Sequence, residues 1–267
     1  MPRSIAGILL VLGLGVAPAA SRAQEPKDPK DLLRQIREAY YSLEDRGLVS
    51  FEASVKPDWR LVLKDQLASD PKAGEAAVQQ LDQLRFVMSL DAASKVTVTH
   101  HGDPAPENKQ AAAGYRQIFS GIDQTLSGFF QTWCPFVRTS PFPETGSKYR
   151  LEEIGDEYWL SYKDGSARVV TTVSKEFRIV DLRVTDKAFS SSLKPKFKKT
   201  AQGLLLVGYY AVYEEPGGEN TTQLKVGIEY LEAGGLQLPA KLSIRGFYND
   251  SPIVLDISFS GYDVKKK

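Results

Sequence analysis

Cysteine is almost absent from this chain. One residue of 267, Cys134, carries a thiol, so no intrachain disulfide can form and the fold must be held by its core. Histidine is nearly as scarce, and the two present, His100 and His101, are adjacent. Neighbours on an extended strand point to opposite faces, so they do not converge on one metal. No metal and no cofactor is expected. An excess of one charge is lacking too: the formal net charge is +1, without the basic surplus that phosphate backbones require. A nucleic-acid partner is therefore not expected. Phosphate-cradling glycine loops are missing, and Ser191-x-x-Lys194 matches a nucleophile spacing without its supporting elements.

Long apolar runs are also missing. The most sustained, Ile5 to Val16, covers about 12 residues, too few to cross a hydrocarbon core of ~30 Å. Arg3 before it and Ser21-Arg22-Ala23 after it read as a secretory signal over residues 1–23. Its removal takes away Arg3 and Arg22 and no acid, which leaves a formal charge of −1. The mature chain, 24–267, is then an exported single domain with no transmembrane segment.

What the chain does have is strands. From Lys148 to Tyr262 short half-apolar segments follow one another across turn residues. In Thr222 to Tyr230, Leu224, Val226, Ile228 and Tyr230 alternate with Gln223, Lys225, Gly227 and Glu229. A period of two with one apolar side marks a strand with one face on a core. Further strands are expected at 149–154, 157–162, 167–173, 177–184, 203–213, 240–248 and 253–259. Ser190 to Thr200, polar and basic, is expected as a loop with a helical turn, in which Lys194 to Lys199 is either solvated or meets anionic lipid heads or a partner.

The N-terminal half reads as mostly helical. Leu32, Leu33, Ile36, Tyr40 and Leu43 form one stripe after an Asp28 or Asp31 cap. Leu48 to Val55 and Lys95 to His101 alternate as strands. Asp70-Pro71 opens a second helix with Ala77, Leu81, Leu84 and Met88 on one side, and Trp59 to Leu63 has no clear type. The third helix, Glu107 to Trp133, has the richest face: Tyr115, Ile118, Phe119, Ile122, Leu126, Phe129, Phe130 and Trp133. Cys134-Pro135 is expected to stop it.

These elements predict an α+β fold. A strongly curved antiparallel sheet, an open half-barrel, carries amphipathic helices on its concave face, with a helical insertion at about 64–147. The pattern of Leu32 to Val55, Tyr149 to Tyr162, Val169 to Val184, Tyr209-Tyr210 and Leu238-Pro-Ala-Lys-Leu-Ser-Ile244 resembles the periplasmic lipoprotein carriers of the Lol type. It also resembles the related sensor domain that regulates an envelope-stress anti-sigma factor. The resemblance implies a periplasmic protein with an unclosed barrel, a helical lid and an apolar cavity for acyl chains.

The expected function is a carrier or sensor that holds a hydrophobic ligand between sheet and third helix. Phe119, Ile122, Leu126, Phe129 and Phe130 would line one wall. Leu224, Val226, Ile228, Leu242, Ile244, Leu255, Ile257 and Phe259 would line the other. The rival readings are an envelope protein–protein interaction module with a filled core, and an enzyme with dispersed catalytic groups. Against the enzyme, no catalytic residue stands out. Glu152, Glu153, Asp156 and Glu157 read as a solvated hairpin, and Cys134 as a buried inert thiol.

Overall fold

The two-residue alternation that recurs along the chain becomes a single antiparallel sheet in the computed structural model. The structure describes residues 28–102, 109–144, 146–215, 217 and 220–267; the expected signal segment lies outside them. Helix α1 (Pro29–Glu38) starts where Asp28 accepts a hydrogen bond from the Lys30 amide, and it buries Leu32, Leu33 and Ile36. Strand β1 (Leu48–Pro57) follows, then the short helices α2 (Trp59–Val62) and α3 (Lys64–Ser69), then α4 (Pro71–Leu81). The hairpin β2 (Arg85–Leu90) and β3 (Val96–His101) precedes the long helix α5 (Lys109–Trp133), which runs into a π-helical turn (Cys134–Arg138).

The remaining chain is a meander of strands. These are β4 (Tyr149–Ile154), β5 (Glu157–Asp164), β6 (Ala167–Ser174), β7 (Ile179–Thr185), β8 (Ser190–Thr200), β9 (Gly203–Glu214), β10 (Thr221–Ala233), β11 (Leu236–Tyr248) and β12 (Ser251–Lys266). All twelve strands pair antiparallel in the order β3-β2-β1-β12-β11-β10-β9-β8-β7-β6-β5-β4. The sheet is open, with β3 and β4 as its edges. Its one pairing between strands distant in sequence is β1 with β12, extended where Lys267 donates its amide to the Gly47 carbonyl.

Two local expectations are corrected. Ser190 to Thr200 is strand β8, not a loop, because Leu193, Pro195 and Phe197 alternate with exposed Lys194, Lys196 and Lys198. Pro195 is tolerated there because pairing with β7 ends at Leu182 and Leu193, leaving a free side that needs no donor. The second helix stops at Leu81; Phe86, Met88 and Leu90 instead alternate into the core along β2. The span 64–147 therefore carries a hairpin as well as helices. The third α-helix ends at Trp133, as expected from Cys134-Pro135, and the chain continues through a π-helical turn to Arg138. The unassigned segment at Trp59 is the helical turn α2, capped by Asp58 accepting from the Leu61 amide.

One continuous apolar cluster fills the space between α1, α5 and the inner face of the sheet. Phe130 of α5 sits at its centre, its ring 5.4 Å from Trp133, 6.1 Å from Phe51 of β1 and 6.2 Å from Phe259 of β12. Among the described residues no helix is long and apolar enough to cross a membrane.

Candidate functional site between helix and sheet

Cross-strand register decides which inner-face residues share a row. Val226 lies opposite both Tyr209 and Ile244, and Ile244 opposite Leu255. One step further along, Ile228 lies opposite Leu242, and Leu242 opposite Ile257. The two rows have the same chemistry and both belong to the core cluster, but only one of them also borders open space. The row of Ile228, Leu242 and Ile257 is buried under α5, together with Ile122, Leu126, Phe130 and Phe259. The row of Val226, Ile244 and Leu255 borders a pocket of about 190 Å³.

Phe129 from α5 forms part of the pocket's other wall, beside Gln124, Thr125 and Gly128, and Leu224, Ile253, Thr222, Tyr209 and Tyr213 complete it. Of the thirteen residues expected from sequence, the pocket therefore gathers Phe129, Leu224, Val226, Ile244 and Leu255. Phe119 lies apart from them, half-buried, with its ring stacked 3.7 Å from His100. The other seven interlock as core.

A larger cleft of about 540 Å³ adjoins this pocket at Tyr213, which lines both. It lies over β5 to β9, beyond the end of α5. Val169, Leu182, Val184 and Leu193 form its floor, and Phe136, Pro141 and Phe142 overhang it. Lys163, Asp164 and Glu144 stand on its polar side. The sequence pattern missed this cleft because its overhang comes from the segment 135–144, which has no period to read.

Polar anchors hold the covering segments in place. Trp133 Nε1 donates to the Tyr230 hydroxyl at 2.9 Å, and Thr132 Oγ1 lies 3.2 Å from the Tyr213 hydroxyl. Arg37 donates to the carbonyl oxygens of Phe142 at 2.8 Å and Pro143 at 2.6 Å. Arg138, buried, donates to the carbonyl oxygens of Val49, Asp91 and Ala92, at 3.0 Å for Val49 and 2.9 Å for Ala92. Its role is a further omission of the sequence reading; the available signal was a lone cation after the apolar Phe136-Val137.

The chemistry on offer is apolar contact with a few hydroxyls. Burial pushes the phenols of Tyr209, Tyr213 and Tyr230 above their ordinary range, so they stay neutral. No carboxylate, imidazole or thiol lines the smaller pocket among the described residues. Among these residues no three His, Cys, Asp or Glu side chains are grouped to hold a metal ion. Burial raises the Cys134 thiol to about 11. The acidic hairpin is solvent-exposed: Glu152 pairs with Arg150 at 2.7 Å and Glu153 with Lys175.

Comparison with known proteins adds no relative: no family model, curated protein or solved structure matches the chain.

Proposed function

We propose that this is an exported, non-enzymatic carrier or sensor whose ligand is hydrophobic and lies along the inner face of the sheet. In this reading the open sheet is bent as a half-barrel, helices occupy its concave side, and the architecture is of the lipoprotein-carrier type that the sequence resembles. The observation that carries it is that Tyr213 lines both an apolar pocket beside α5 and a wider cleft with an aliphatic floor. An acyl chain laid along both would bury methylenes at ~0.8 kcal/mol each, before ordering costs.

Titration with a fluorescent fatty acid tests the proposal. Gly128 borders the smaller pocket, and a Cβ added there meets nothing within 4 Å. Gly128→Leu should fill that space, leave the fold intact and weaken probe binding at least tenfold. Absence of saturable binding by the unaltered protein, after delipidation, would end the proposal. The alternative, an envelope interaction module, draws support from the filled row of Ile228, Leu242 and Ile257. It is favoured if native mass spectrometry of protein from its own envelope finds a protein partner and no lipid.

A further inference from the structure

The outer face of the sheet has features that ligand binding on the inner face does not use. β8 turns Lys194, Lys196 and Lys198 outward, all exposed. Register places Tyr210 of β9 beside Lys194, and Lys225 of β10 beside Tyr210. With strands ~4.8 Å apart, Lys194 and Lys225 stand about 10 Å from each other across that ring. Further along the row, Arg245 donates to Asp256 at 2.6 Å, and the same carboxylate takes Lys241 at 2.9 Å. None of Lys194, Lys196, Lys198 and Lys225 has an ion pair among the described residues. Four cations outside any ion pair thus share one face with the acids Asp181, paired with Arg183, and Glu229, in a molecule whose overall charge is close to zero.

Exposed aromatics flank these cations. Phe247 lies opposite Gln223 in the next outward row and is 52% exposed, and Tyr210 is 40% exposed. Rings of this kind are ordinarily covered. Beside lysines on a sheet face they match a bilayer interface, where aromatic side chains rest at head-group depth and cations meet anionic lipid. A single-stranded nucleic acid would call for a basic groove with rings along it, and the lysines here stand on an open sheet face instead. We infer that this outer face docks the protein on an anionic phospholipid surface, with the lysines of β8 and β10 on the head groups and Phe247 entering the interface.

The test is co-sedimentation of the full chain with phosphatidylcholine vesicles, with and without phosphatidylglycerol, at low and high salt. Binding is expected only with phosphatidylglycerol and should fall as salt rises. Each lysine near an anionic surface is worth about fivefold in affinity. The variant Lys194→Glu/Lys196→Glu/Lys225→Glu, at exposed sites, should therefore bind at least about a hundredfold more weakly with an unchanged circular dichroism spectrum. Should it fail to fold, Lys196→Gln alone should still lose about fivefold. Phe247→Ala should weaken binding while preserving its salt dependence. Equal binding to neutral vesicles, or undiminished binding by the folded lysine variants, would overturn the inference. So would tighter binding to polyglutamate than to vesicles, which would assign the face to an acidic protein.

Discussion

Trp133 Nε1 donates to the Tyr230 hydroxyl at 2.9 Å, and that hydroxyl donates in turn to the Leu206 carbonyl oxygen at 2.6 Å. The relay links the last turn of α5 to β10 and β9 through buried side chains. Tyr230→Phe would leave an indole N–H and a carbonyl oxygen without their partner. Such orphaned groups cost about 1–3 kcal/mol. Urea unfolding should show a lower midpoint with an unchanged slope; an unmoved midpoint would mean that the relay contributes nothing.

Arg138 is the second tie between the helical cover and the sheet. Its guanidinium serves carbonyl oxygens of β1 and of the β2–β3 turn. Arg138→Met should destabilise by about 3 kcal/mol or more, because three carbonyl groups lose a charged donor together. Arg138→Lys should recover part of this, as a compact ammonium cannot reproduce the planar fork. The order arginine, lysine, methionine in thermal midpoint is the expected outcome.

Two glycines should respond in opposite directions to the same substitution. Gly121, within α5, has nothing within 4 Å of an added Cβ. Gly121→Ala should stabilise by up to ~1 kcal/mol through helix propensity. At Gly246 of β11 an added Cβ would come 1.9 Å from the Gln223 carbonyl oxygen. Gly246→Ala must push β10 and β11 apart, and a clear loss of thermal stability is expected. Calorimetry on the pair is a direct check on the β10–β11 register.

Asp256 should make stability fall in acid. Burial pushes its carboxyl up, but hydrogen bonds and charge from Arg245 and Lys241 together hold it below its ordinary value. A folded-state value below the unfolded one means that the contribution is fully present above the unfolded value, near 4, and is lost as pH falls through the folded value. Asp256→Asn should therefore flatten stability against pH below about 4 and lower the plateau above it. If the native protein and the variant lose stability in parallel through that range, Asp256 is not the group responsible.

Cys134 should be silent in the native protein. Burial raises its thiol to about 11, so little thiolate exists at neutral pH. Maleimide labelling at pH 7 should proceed only at the rate of unfolding and become rapid in denaturant. Fast stoichiometric labelling of the folded chain would contradict the burial of this residue.

The sheet was legible in the sequence because alternation survives wherever one face is buried. Leu224, Val226 and Ile228 announced the inner face of β10 directly. β8 was missed because lysines and Pro195 outweighed a weak alternation of Leu193 and Phe197, and only the neighbouring strands make that pattern meaningful. The boundary between pocket and core was not legible at all. Val226 and Ile228 are chemically alike and equally buried, and only the cross-strand placement beside Phe129 and Gly128 puts Val226 at the pocket wall. The anchoring role of Arg138 was hidden for a related reason: its acceptors are backbone groups far away in sequence, which leave no mark on residue type.

The β1–β12 ladder also governs how the molecule comes together. β4 to β12 can form from successive hairpins, β2 and β3 form another, and β1 joins β2 across the three helices α2 to α4. Uniting β1 with β12 requires closure of nearly the whole described chain at a single seam, so the entropic cost of loop closure falls almost entirely on that step. Refolding should accordingly pass through two preassembled pieces, and their docking should set the pace.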